Sequence, residues 1–99
     1  MQNVIVADAN QTLVAELRLP LGLARRGFRG RIDAITAADA PSGVPAVELE
    51  RRLLELGFVE GADIEILHEG LVGRDPIAVR VNDSTIALRR REAMAILVT

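Results

Sequence analysis

The chain contains no cysteine, no tryptophan, no tyrosine and no lysine. Without cysteine, disulfides, Fe–S ligation, zinc knuckles and thiol catalysis are excluded together. All twelve cationic residues are arginine, so Schiff-base chemistry and the Walker A phosphate loop, which need a lysine, are excluded as well. Phe28 and Phe58 are the only aromatic residues. A core must therefore be built from Val, Ile, Leu and Ala, and stacking platforms for unpaired bases are missing. The net charge of -2 gives no basic field to attract nucleic acid. The longest apolar stretches, such as Ala93 to Val98, fall far short of the roughly 20 residues that a membrane span needs. Met1 to Val6 is followed by Asp8 and carries no basic stretch, so it does not read as a signal peptide. A cytoplasmic protein with no direct membrane insertion is expected.

What is present fits one domain. The 99 residues are 49% hydrophobic, above the range of disordered segments and enough for a single modest core. Residues 1–26 read as an N-terminal extension, partly ordered. Within it Val4-Ile5-Val6 suits a short strand and Thr12 to Leu17 one or two helical turns, with Pro20 and Gly22 interrupting anything longer. Residues 27–98 read as the folded domain. Arg29 to Ile35 alternates polar with apolar after a glycine and predicts a strand, and Ala37 to Pro45 suits a loop.

A helix is predicted over about 45–56. Ser42 and Pro45 stand at its start, and Gly57 stands where a left-handed residue would end it. Ala46, Leu49, Leu53 and Leu56 form one apolar stripe at steps of three and four, while Leu54 falls off it. Glu48 with Arg52, and Arg51 with Glu55, are i,i+4 pairs worth about 0.2–0.5 kcal/mol each on an exposed face. The period then changes to two. Ala62, Ile64 and Ile66 share a face, as do Ile77, Val79 and Val81, which predicts two half-buried strands joined by the Gly70 to Pro76 loop. Asn82-Asp83-Ser84 turns into a strand at Thr85 to Leu88, Arg89 to Met94 suits one helical or 3₁₀ turn, and Ala95 to Val98 is a last strand. Five short twisted strands bury most when they close into a small barrel. The expectation is mainly β: a small SH3-like five-stranded barrel, with the helix between its first and second strands.

Three linked blocks carry a family resemblance. Glu50 to Leu67, ERRLLELGFVEGADIEIL, runs a helix through Leu-Gly-Phe and a glycine turn into a strand. Gly73 to Val81, GRDPIAVRV, leads with Asp-Pro into another, and Ile86-Ala87-Leu88-Arg89-Arg90 with Glu92-Ala93 closes the pattern. Together they resemble the FeoA family. The resemblance implies an SH3-like barrel, and from the residues no catalytic site, cofactor or metal site is expected in it. It also implies a cytoplasmic accessory and regulatory role in ferrous iron uptake, through contact with the GTP-binding domain of the membrane permease FeoB or with other copies of the chain. The surface expected to make that contact comprises Leu53, Leu54, Leu56, Gly57 and Phe58 as apolar anchors and Arg51, Arg52, Arg89 and Arg90 for steering. The alternative is a freestanding version of the SH3-like C-terminal domain of iron-dependent repressors, although no recognition helix precedes the barrel.

Other readings are weaker on the residues themselves. His68, the only histidine, has Glu65 and Glu69 near it, but one imidazole with two carboxylates is a poor ferrous site, and a strand-end position explains it. Ser84, His68 and Asp83 spell a hydrolase on paper, yet Asp83 and Ser84 have ordinary turn roles. Glu48 and Glu50 lie on a solvated helix face. Gly70-Leu71-Val72-Gly73 satisfies the GXXG pattern but sits between strands where a KH domain needs helices. Arg89 to Arg91 would meet phosphates only as a small basic turn, and a salt-sensitive RNA-binding barrel is the third reading.

Overall fold

The computed structural model of the chain describes residues 18–37 and 45–99. The strand expected at Val4-Ile5-Val6, the helical turns at Thr12 to Leu17, Ser42 and most of the Ala37 to Pro45 loop lie outside the described residues.

The five expected strands form, and a sixth joins them. In chain order the elements are β1 (Leu19–Pro20), a 3₁₀ turn (Leu21–Leu23), β2 (Arg29–Ile35), helix α1 (Ala46–Glu55), β3 (Asp63–Glu69), β4 (Ile77–Val81), β5 (Ser84–Leu88), the single-turn helix α2 (Arg90–Ala93) and β6 (Ile96–Val98). All strand pairs are antiparallel, in the order β1-β6-β2-β3-β4-β5. The count of five is corrected to six because Leu19 and Pro20, taken as extension, pair with Val98 and Leu97. Two residues carry too little periodicity to mark a strand, and Pro at a sheet edge needs no donor.

Strand β2 gives the sheet its curl. Arg29, Gly30 and Arg31 pair with β3, whereas Ile32, Ala34 and Ile35 pair with β6, with a register shift between Ile32 and Ala34. One strand thus serves both halves of the sheet, and such irregularities bend and twist the strand that carries them. The inward faces are those that the period of two marks. Ala62, Ile64, Ile66, Ile77, Val79 and Val81 are all buried, and Leu88, Ile96 and Val98 join them.

Helix α1 closes the core from outside with Leu49 and Leu53, both fully buried, while Ala46 and Leu56 pack at the edge. Its end is a Schellman turn. The Gly57 N–H donates to the Leu54 carbonyl at 3.0 Å and the Phe58 N–H to the Leu53 carbonyl at 2.9 Å. Both bonds require the residue after the cap to take a positive φ, and Gly57 has φ +102°. Phe58 is carried into the core beside Leu53, with both side chains at 0% exposure. The chain reverses at Gly61, whose N–H reaches the Ile32 carbonyl at 2.8 Å, and enters β3.

Candidate functional site

Eight of the nine residues expected to form one partner surface fall into three groups, and Arg90 stands apart from them. Leu53 and Phe58 are in the core, so the expectation that they anchor a partner is corrected: the Schellman turn that makes them adjacent also removes them from solvent. Leu56 and Gly57 are half-buried. Leu54, Arg51, Arg52 and Arg89 are on the surface, with Leu54 44% exposed. Two apolar residues that the stripe analysis passed over accompany Leu54. Val47 is 80% exposed and, seven residues earlier, lies on the same side of α1; Val59, in the turn, is 40% exposed. A Val at position i and a Leu at i+7, both off the buried stripe, was the available signal.

Arg52 does not pair with Glu48. It reaches Glu92 of α2, tying the helix to the turn before the last strand, and Glu92 also accepts the Arg89 N–H at 3.2 Å. Among the described residues no ion pair joins Arg51 to Glu55, which leaves Arg51 available on the exposed face.

Arg90 is corrected from a steering residue to a structural hub. Its side chain is only 17% exposed. Nε donates to the Arg74 carbonyl at 2.7 Å, Nη1 to the carbonyls of Gly22 and Ala24 at 3.0 and 2.6 Å, and Nη2 to Glu69 Oε1 at 3.0 Å. Its backbone N–H reaches Asp75 Oδ1 at 2.9 Å. The planar fork of a guanidinium is suited to joining several acceptors at once. One residue therefore fastens the N-terminal segment, the end of β3 and the β3–β4 loop to the start of α2.

Glu69 is the counterpart of this hub. The Arg26 backbone N–H donates to its Oε1 at 2.7 Å and, with the charges of Arg90, Arg74 and Arg26, holds the carboxyl below its ordinary value of 4.5 against the opposing effect of desolvation. Arg25, Arg26, Glu69 and Arg74 line a pocket of about 260 Å³. The dipeptide Arg25-Arg26 and Arg74 are separated by half the chain, so only the fold brings them together.

The remaining carboxylates of the sheet are also matched with arginine: Asp33 with Arg18, Asp63 with Arg31, and Glu65 with Arg29 and Arg80. Arg29, Asp63, Glu65 and Arg80 surround an open groove of about 320 Å³ on the outer face. His68 is exposed on β3 opposite Ala78. Among the described residues, three or more His, Asp or Glu side chains nowhere converge as a metal site would require. Ser84 directly follows the two-residue hairpin turn Asn82-Asp83, where Asn82 takes φ +52°. No helix among the described residues is long and apolar enough to cross a membrane.

A curled antiparallel sheet of short strands, one external helix and a one-turn helix before the last strand define a small SH3-like barrel. Residues 19–99 match the model of the FeoA domain, and the chain belongs to the FeoA family. Among solved structures it is similar to the FeoA protein of Chlorobium tepidum, at 34% identity and TM-score 0.63 over 81% of this chain and 68% of that one. It is likewise similar to Stenotrophomonas maltophilia FeoA, solved with zinc and described as a prokaryotic SH3-domain protein and candidate activating factor of ferrous iron transport. That match has 29% identity and TM-score 0.63 over 80% of this chain and 87% of that one. A manganese-dependent transcriptional repressor shares the fold, with TM-score 0.69 at 22% identity, over 84% of this chain and 41% of the repressor. No curated protein sequence matches the chain.

Proposed function

We propose that the chain is a non-catalytic accessory protein of ferrous iron uptake that works in the cytoplasm by binding the GTP-binding domain of a FeoB-like permease. Membership of the FeoA family supports this reading, as does the description of a relative as a candidate ferrous iron transport activating factor. The observation that carries the site is the apolar line left on α1 once its stripe is buried: Val47 and Leu54, with Val59 in the turn that follows. Exposed aliphatic residues grouped on one element of a small domain mark a partner surface. Arg51 lies between Val47 and Leu54, and its charge would orient an acidic partner and raise the association rate.

The carboxylates that a reaction would recruit are engaged by arginine, and the lowered pKa of Glu69 suits a fixed negative charge, whereas a proton donor at neutral pH needs a raised one. The experiment is a pull-down with the permease's soluble domain, comparing wild type with Leu54→Asp and Val47→Asp. Loss of binding with unchanged melting supports the surface; undiminished binding removes α1 from it. The second reading, a relative of the repressors' SH3-like domain, is favoured by the fold similarity alone. It would require binding to a segment of a repressor and none to the permease domain.

A further inference from the structure

The loop between β3 and β4 exposes two adjacent aliphatic side chains at its tip. Leu71 is 103% and Val72 87% exposed, the highest values among the exposed large hydrophobic residues described. The loop is not loose at its base. The Gly70 N–H donates to the Pro76 carbonyl at 2.8 Å, and Arg90 holds the Arg74 carbonyl. Arg74 takes φ +57°, a conformation that residues other than Gly, Asn and Asp seldom adopt. Its guanidinium faces Glu69, with Nε 3.9 Å from Oε2, in the wall of the pocket shared with Arg25 and Arg26. The turn bearing those two arginines is fixed beside the loop by the Arg26 N–H to Glu69 and the Gly27 N–H to the Ile66 carbonyl. Four arginines, Arg25, Arg26, Arg74 and Arg90, thus surround one carboxylate. Among the described residues Arg25 and Arg26 form no ion pair within 4 Å, so the cluster has positive charge left over.

We propose that this end of the barrel docks on an anionic phospholipid surface, with Leu71 and Val72 entering the headgroup boundary and Arg25, Arg26 and Arg74 binding lipid phosphate. Two features favour a lipid surface over a protein. An apolar anchor in a protein interface needs a surrounding rim to exclude water, and here the pair is flanked by Gly70 and Gly73 on a projecting tip. A bilayer supplies the apolar phase without such a rim and the anionic charge at the same depth as the arginines. The contact is interfacial and needs no spanning segment. Because the whole chain has a net charge of -2, general electrostatic adsorption is not expected, and binding must come from this end.

The experiment is flotation of the full chain with vesicles of phosphatidylcholine alone and of phosphatidylcholine containing about a third phosphatidylglycerol. Binding is expected only to the anionic vesicles and should weaken steeply with salt. Arg25→Gln, Arg26→Gln and Arg74→Asn should each lower the partition by about fivefold. The double variant Leu71→Ser, Val72→Ser should lower it by about tenfold or more. The exposure of all five positions keeps the fold intact, which unchanged melting verifies. Equal binding to neutral vesicles, no binding to either, or full binding by the Leu71 and Val72 variant overturns the proposal. So does a melting shift by inorganic phosphate without vesicle binding, which would assign the pocket to a soluble anion. Loss of permease-domain binding by these variants without vesicle binding would assign the loop to a protein and also overturn it. The vesicles contain no permease, so failure here leaves the α1 reading untouched.

Discussion

Helix α1 with its glycine exit, and the arginine-rich end around Glu69, are both built from residues that look suited to partners. The fold uses them differently. At α1 the apolar residues are divided by the helical period: Leu49 and Leu53 go inward, Phe58 follows through the Schellman turn, and Val47 and Leu54 stay outside. At the other end the charged residues are divided by long-range contact. Arg90 is consumed by three carbonyls and a carboxylate, whereas Arg25 and Arg26 line a pocket. The lesson is that a residue of the right type is available for binding only if folding has not already used its chemistry.

Substitutions at the two regions can break or sharpen this contrast. The largest effect is expected from Phe58→Ala, which would open a cavity under α1 and lower stability by about 3–5 kcal/mol in chemical denaturation. A loss below about 1 kcal/mol would mean that the turn does not carry the ring into the core. Arg90→Gln comes next. It would strip hydrogen bonds from the Gly22, Ala24 and Arg74 carbonyls, a loss of about 2 kcal/mol by the same measurement. If Arg90 were instead a steering residue, stability would barely move. Gly57→Ala should destabilise by about 1–2 kcal/mol, since an L-residue is strained at φ +102°.

Glu69 gives the contrast a pH signature. Its folded pKa lies below the ordinary value of 4.5, so its contribution is fully present above about that pH. The contribution is lost as pH falls through the depressed folded value. Glu69→Gln should therefore flatten the acid limb of the stability profile and leave its neutral limb parallel to wild type. A raised value for the Glu69 carboxyl by NMR titration would reverse the sign. The smallest change in stability, within about 0.5 kcal/mol, is expected for Leu54→Asp, despite its expected loss of partner binding. A large destabilisation there would show that Leu54 belongs to the core.

Much of the architecture was legible because its signals are local. Period two at Ala62 to Ile66 and Ile77 to Val81 placed the buried faces, and Gly57 placed the end of α1 to within a residue. Strand β1 escaped because two residues have no period. The surface was less legible. Leu53 and Leu54 are chemically alike, and it is the fold-back bond from the Phe58 N–H to the Leu53 carbonyl that goes with the burial of Leu53 and Phe58 while Leu54 stays exposed. The expected Glu48–Arg52 pair gave way to Arg52–Glu92 because α2 brings a carboxylate against α1 that helix spacing alone does not reveal.

By itself the sequence determined which chemistries were open, through the absence of cysteine and lysine, and where strands and helix would form, through the spacing of aliphatic residues and the glycines that permit a positive φ. These are properties of neighbours along the chain, and near neighbours need no fold to meet. Only the tertiary structure decided which arginines are fastened and which face solvent. Gly22 and Arg90 lie 68 positions apart, and a guanidinium's acceptors are chosen by what the curled sheet brings within about 3 Å, a distance that no spacing in the sequence encodes.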